Sequence, residues 1–246
     1  MTMNSIWVIF KLRCQVHAAS VTGPRHLNEQ QVNQDAILRR CWSKQWLVVV
    51  SDGMGSRPHA DIGAQQACLA VCASVQRSQF DRHERELIQE IYQNWLWRLS
   101  QHCPPIQPKD AAATCLFAWG RHTGETRLFQ LGDGAIFYQT ETFGKLATRD
   151  AAQFSNETTG LGISKKWSDW SYSCITLCRP YHSIALMSDG ISDDLIDEEG
   201  FLAMLGKRLG SKSPRQGKRW MQRELNNWRT PQHSDDKSLG FVCWSA

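Results

Sequence analysis

The order of extended and helical segments constrains this chain more than any other feature. Runs rich in aromatic and β-branched residues predict strands at about 6–19, 36–42, 46–51, 113–119, 125–131, 134–140, 172–178, 182–188 and 238–244. Helical periodicity is clearest over 84–100, where Leu87, Ile88, Ile91, Tyr92, Trp95, Leu96 and Leu99 form one stripe. A small-residue helix is expected at about 60–78, and two more at about 198–209 and 214–229. The stretch 101–110 carries three prolines and reads as a loop between helix and strand. Strands therefore follow strands in long series, which rules against a repeated βαβ pattern. The fold class expected is α/β: a four-layer α-β-β-α sandwich of two stacked, mainly antiparallel sheets flanked by helices. A single domain over 1–246 is expected.

Composition narrows the class. With 246 residues, 41% hydrophobic and 21% charged, the chain is long enough and apolar enough to bury a sizeable core. A formal charge of +4 is mild, and nothing points to the strongly basic face of a nucleic-acid-binding domain. Nine cysteines occur without a Cys-x-x-Cys pair, which predicts reduced thiols, mostly buried, in a cytoplasmic protein. The apolar run Ile6–Phe10 is too short for a signal segment or a membrane span, so no membrane partner is expected. Between Lys207 and Arg229 stand eight Lys or Arg and one Glu, read as a solvated helix whose Trp220, Met221, Leu225 and Trp228 pack on the core.

Acidic residues recur where apolar runs stop. Leu47–Val50 ends at Ser51 and is followed by Asp52-Gly53-Met54-Gly55. "LGDG" places Asp133 after another apolar run, "SDGISD" repeats the pattern at Asp189 with Asp193 four residues on, and "SDDKSLGFV" puts Asp235 and Asp236 before the last strand. Asp35 opens an early strand in "NQDA". One Asp-Gly pair alone is an ordinary turn signal. Five widely separated acidic strand ends are a different matter, because clustered carboxylates repel unless a positive charge lies among them. Oxygen donors without His or Cys suit hard cations, Mg²⁺ or Mn²⁺ rather than zinc.

"NQDA" (33–36), "VVVSDGMGS" (48–56), "LGDG" (131–134), "SDGISD" (188–193) and "SDDKSLGFV" (234–242) resemble, in order, the motifs of the type 2C (PPM) metal-dependent Ser/Thr protein phosphatases, in their compact bacterial form. "LATRD" (146–150) and "TTGLG" (158–162) also resemble family segments. The resemblance implies a binuclear Mg²⁺ or Mn²⁺ site, with Asp52 bridging both ions and the Gly53 carbonyl completing the second. It implies Asp189 and Asp235 on the first ion, Asp35 orienting water, and a weaker third ion at Asp133, Asp189 and Asp193. Attack of a metal-activated water on phosphoserine or phosphothreonine, and a partner Ser/Thr kinase, are implied likewise.

The chain departs from that pattern at several places. Gln34 stands where relatives often carry an acid, Gln30 where many carry an Arg, and Met54 where animal relatives carry a His. His26 and Arg25 are the nearest cationic candidates for phosphate contact, and His26 for protonating the leaving group. His59 is expected to be an exposed loop residue. A regulatory module that binds phosphoproteins or a kinase without turnover, and a metal-dependent phosphodiesterase or small-molecule phosphatase, stand as rival readings.

Overall fold

The computed structural model describes residues 13–148, 159–228 and 234–245. Two five-stranded, wholly antiparallel sheets stack face to face. One has the order β1 (Arg13–Val21), β10 (Lys237–Ser245), β9 (Ser183–Met187), β6 (Ala135–Gln139), β7 (Phe143–Lys145). The other runs β2 (Asp35–Cys41), β3 (Gln45–Asp52), β4 (Cys115–Arg121), β5 (Glu125–Leu131), β8 (Ser171–Thr176). Helices α2 (Ala60–Arg77) and α3 (Glu84–Ser100) cover the second sheet, and α5 (Glu198–Leu209) and α6 (Pro214–Asn226) cover the first. These are the four layers expected.

The unbroken apolar runs follow from burial on both faces. On β3, Leu47 and Val49 meet the helices, while Trp46, Val48 and Val50 meet the opposite sheet. β4 repeats the division, with Phe117 and Trp119 outward and Leu116 and Ala118 between the sheets. Across the inter-sheet layer Trp46 and Trp244 make an edge contact, centroids 5.9 Å apart. The stripe read on 84–100 packs as expected, with Leu87, Ile88, Ile91, Trp95 and Leu99 buried. On α6, Met221 and Leu225 are buried, and Trp220 and Trp228 pack half-buried against the same cluster.

Short elements escaped the sequence pattern: the strand β7 and the helices α1 (Pro24–Asn28) and α4 (Asp189–Ser192). The part of the expected first strand before Arg13 lies outside the described residues, as do parts of "LATRD" and "TTGLG" and the residue Arg229. The expectation that most cysteines are buried is corrected. All nine are free, but only Cys68, Cys115 and Cys243 are buried, and Cys41, Cys103, Cys174 and Cys178 are exposed. Cys41 closes a strand, Cys103 sits in a loop and Cys174 lies on the edge strand β8, places where the chain meets water. Among the described residues no helix is long and apolar enough to cross a membrane.

Candidate active site

The β2–β3 ladder sets Asp35 directly opposite Asp52, at the end of the sandwich where β3 leaves the sheet. The Asp52 backbone is clamped there: its N–H donates to Thr114 Oγ1 at 2.9 Å, and its carbonyl accepts from the Thr114 N–H at 2.8 Å. Next in the chain, the Gly53 N–H donates to the Gln34 carbonyl at 3.1 Å. A Cβ on Gly53 would lie 2.3 Å from the Ala60 carbonyl oxygen, so only glycine passes between β2 and the start of α2.

β9 and β10 supply the other acids. Ser188, just past β9, donates from Oγ to Asp35 Oδ2 at 2.8 Å and accepts from the Ser238 N–H at 3.0 Å. That pair of bonds ties the two sheets together at the acid end. Asp189 then opens α4. Asp235 is partly exposed and ion-paired with Arg25 at 2.7 Å, while the buried Lys237 donates from Nζ to the Asp235 carbonyl at 2.9 Å.

Asp236 anchors the approach to this corner. It is buried and accepts from the Gly23 N–H at 2.7 Å, the Gln34 N–H at 2.6 Å and His26 Nδ1 at 2.9 Å. A carboxylate can only accept here, so the Nδ1 of His26 carries hydrogen and Nε2, 3.5 Å from Arg25 Nη2, is the acceptor of the neutral ring. His26 is only 4% exposed.

Asp35, Asp52, Gly53, Asp133, Asp189, Asp235, His26, Arg25, Gln34 and Met54 all line one cavity of about 360 Å³. Asp133 is exposed, in the turn between β5 and β6. Asp193 is exposed at the C-terminal end of α4 and does not line the cavity. Gln30, exposed and with φ of 55°, and His59, half-buried at the start of α2 rather than exposed in a loop, do not line it either. Three contributors were not singled out by sequence reasoning, Ser188, Thr114 and Arg57, and Asp236 was named beside Asp235 but given no role of its own. Arg57 lines the same cavity, and its Nε is buried without a hydrogen-bond partner among the described residues. The tandem Asp235-Asp236 was the one available signal for the anchor.

The acids perturb one another. Asp35 and Asp189 are the charged neighbours that act on the Asp52 carboxyl. Burial pushes the Asp35 carboxyl up to about 7, against hydrogen bonds from Ser188 that favour its ionised form. Burial, then the charges of Asp35 and Asp189, hold Asp52 well above the usual carboxylate range. Asp189 is raised too, by burial first and then by Asp193 and Asp235. These shifts are those of carboxylates packed together without a cation. Among the described residues no three acidic, thiol or imidazole groups already converge as a ready-made cage. The donor chemistry nevertheless fits a hard cation: an all-oxygen set in which Asp52 repels both Asp35 and Asp189, a repulsion a divalent ion would relieve.

The protein phosphatase 2C family matches residues 22–228. The chain belongs to the protein phosphatase 2C family, whose members are serine/threonine phosphatases. No curated protein sequence matches it. Among solved structures, the S. agalactiae serine/threonine phosphatase is 13% identical, with a TM-score of 0.67 over 94% of this chain and 99% of that one. The catalytic domain of the serine threonine protein phosphatase PstP, in complex with two manganese ions, is 15% identical with a TM-score of 0.64, over 96% and 100%. The phosphatase domain of SpoIIE from Bacillus subtilis, with a fragment of its regulatory domain, is 15% identical with a TM-score of 0.63, and this chain spans 64% of it. At such identities the likeness is one of fold.

Proposed function

We propose that the acid cavity hydrolyses phosphoserine and phosphothreonine in proteins, and that Asp52, Asp189 and Asp235, with the Gly53 carbonyl, hold two Mg²⁺ or Mn²⁺ ions. The observation that carries this reading is the pairing, in one cavity, of Asp35, Asp52, Asp189 and Asp235 with Arg25 and Arg57 at its wall. The acids suit cations and Arg25 and Arg57 suit the anionic phosphoryl group. When bound, the ions supply the charge that makes water a nucleophile near neutral pH and stabilises the phosphoryl oxygens. Asp35, held by Ser188, orients water. Arg57 offers an unused N–H to a phosphate oxygen. His26, held through Nδ1 by Asp236, positions the Arg25 guanidinium through Nε2. Asp193 stands outside the cavity, so the reading rests on two ions and not on a third at Asp133, Asp189 and Asp193. A phosphorylated protein substrate and an opposing Ser/Thr kinase in the cytoplasm complete the proposal.

The rival reading, a phosphoprotein-binding module without turnover, is favoured by one observation: Arg25 already occupies Asp235. Hydrolysis of a phosphothreonine peptide separates the two. Phosphate release with Mn²⁺, abolished by EDTA and by Asp52→Asn, supports catalysis. A folded wild-type protein that binds phosphopeptide and releases no phosphate with either metal removes it. Preference for nucleotides or sugar phosphates over phosphopeptides would transfer the activity to small substrates.

A further inference from the structure

At the opposite end of the sandwich the chain builds a cavity of reversed charge. β1 and β2 are edge strands of the two sheets, and the corner between them is closed by the start of α6. The enclosed space is about 290 Å³ and is walled by Arg13, Arg39 and Lys212 together with Gln15, Ser211 and Cys41, among others. Among the described residues no acidic side chain lines it, and none of these three cations is ion-paired. Three unneutralised cations around one pocket repel each other, and an anion entering would relieve all three.

Strand geometry explains how one element serves both ends. Along β2 the alternating positions Asp35, Ile37, Arg39 and Cys41 share the face turned toward the other sheet. Asp35 faces the acid cavity, Ile37 packs in the core, and Arg39 and Cys41 reach the basic one. Along β2 the rise from Asp35 is about 13 Å to Arg39 and about 20 Å to Cys41. Arg39 is half-buried, and its charge is close enough to the wholly buried His17 to help burial keep that ring neutral. The end of α6 that borders the cavity adds to the field. It is the positive N-terminus of a 13-residue helix, with no acidic residue in its first turn.

We propose that this basic cavity is a second ligand site, distinct from the acid cavity, and that it takes a small anion bearing phosphate-type oxygens and two or more negative charges. Arg39 and Lys212 grip it from two sides, with Arg13 at the open edge. The site needs no metal, so it stands whether or not the acid cavity turns over phosphoproteins.

The test is calorimetric titration of the full chain, freed of divalent ions on a chelating resin, with pyrophosphate and with inorganic phosphate. Wild type is expected to bind pyrophosphate at a single site. Arg39→Ala and Lys212→Ala should each weaken binding by about tenfold or more, the worth of one charge-assisted contact. Arg219→Ala, exposed on α6 and not part of the cavity wall, should leave it unchanged. Should Arg39→Ala fail to fold, Lys212→Ala in the turn before α6 still decides. Alkylation followed residue by residue gives an independent readout: bound pyrophosphate should slow Cys41, on the cavity wall, and not Cys103, an exposed loop thiol. No binding by wild type, equal binding by Arg39→Ala and Lys212→Ala, or equal weakening in Arg219→Ala would each overturn the proposal.

Discussion

Replacing Asp236 should remove more buried hydrogen bonds than any other single side-chain truncation among the acids at this end of the fold. Its carboxylate is buried and accepts three hydrogen bonds, from the Gly23 and Gln34 N–H groups and from His26 Nδ1. Asp236→Ala deletes one partner and leaves three donors short, two of them backbone groups that cannot turn away. An unsatisfied buried donor costs about 1–3 kcal/mol, and partial access of water to the half-buried Gln34 lowers the upper end. The expected loss is therefore about 3–6 kcal/mol, a large share of the roughly 5–15 kcal/mol typical of a folded domain. Asp236→Asn keeps the shape and one acceptor but turns an amide N–H₂ toward a donor, and should cost about half as much. Urea unfolding in EDTA measures both, with metal binding removed from the comparison, and the midpoint should fall while the slope stays constant. His26→Ala in the Asp236→Ala background should cost clearly less than in wild type, because the shared bond is already gone. An Asp236→Ala protein within about 1 kcal/mol of wild type would refute the anchor role and return α1 to the status of a loosely held loop.

Other expectations follow from the same geometry. Gly53→Ala, whose methyl would meet backbone oxygen at 2.3 Å, should cost at least about 3 kcal/mol or prevent folding. Gly206→Ala in α5, where a Cβ meets nothing within 4 Å, should stabilise by about 0.5–1 kcal/mol in the same urea assay. Arg25→Gln should change stability by less than about 1 kcal/mol, since the Arg25–Asp235 pair is 46% and 41% exposed and solvent-screened. Without metal, the folded carboxyls of Asp35, Asp52 and Asp189 keep protons to higher pH than unfolded ones, which titrate near about 4. The folded state then binds more protons between about 4 and about 7, so stability falls as pH rises through that window. A urea midpoint in EDTA that drops from pH 5 to pH 7.5, with a shallower drop in Asp52→Asn, meets this expectation, and a flat or rising midpoint contradicts it.

The layers were legible because both faces of the central strands are buried and the helices carry a clean 3.6-residue stripe, as on 84–100. Most of the acids were legible because each stands where an apolar run ends, and strand ends in a two-sheet sandwich meet at its rim. What escaped is local and non-periodic. α1 and α4 have five and four residues, too few for a helical period to register. Asp235 and Asp236 are neighbours of one residue type in the bend before β10, where one residue separates a buried anchor from a partly exposed acid. Asp193, placed beside Asp189 by the family resemblance, is exposed at the end of α4 and acts on Asp189 through its charge. Arg57 sat in a Gly/Pro loop with no pattern around it.

The two-faced burial of β3 also divides adhesion from alignment. Sliding β3 by one residue against its neighbours would exchange its helix-facing and sheet-facing sets, and both environments are apolar. Hydrophobicity thus glues this strand in place without saying where along its length it should stop. The stop is supplied at the rim, by Thr114 on both backbone groups of Asp52 and by Gly53 passing against Gln34 and Ala60. Val48, Val49 and Val50 in the middle of β3 therefore supply adhesion in any order. Thr114 is not interchangeable in that way: a valine there has nearly the same shape but no oxygen to set the stop that keeps Asp52 level with Asp35.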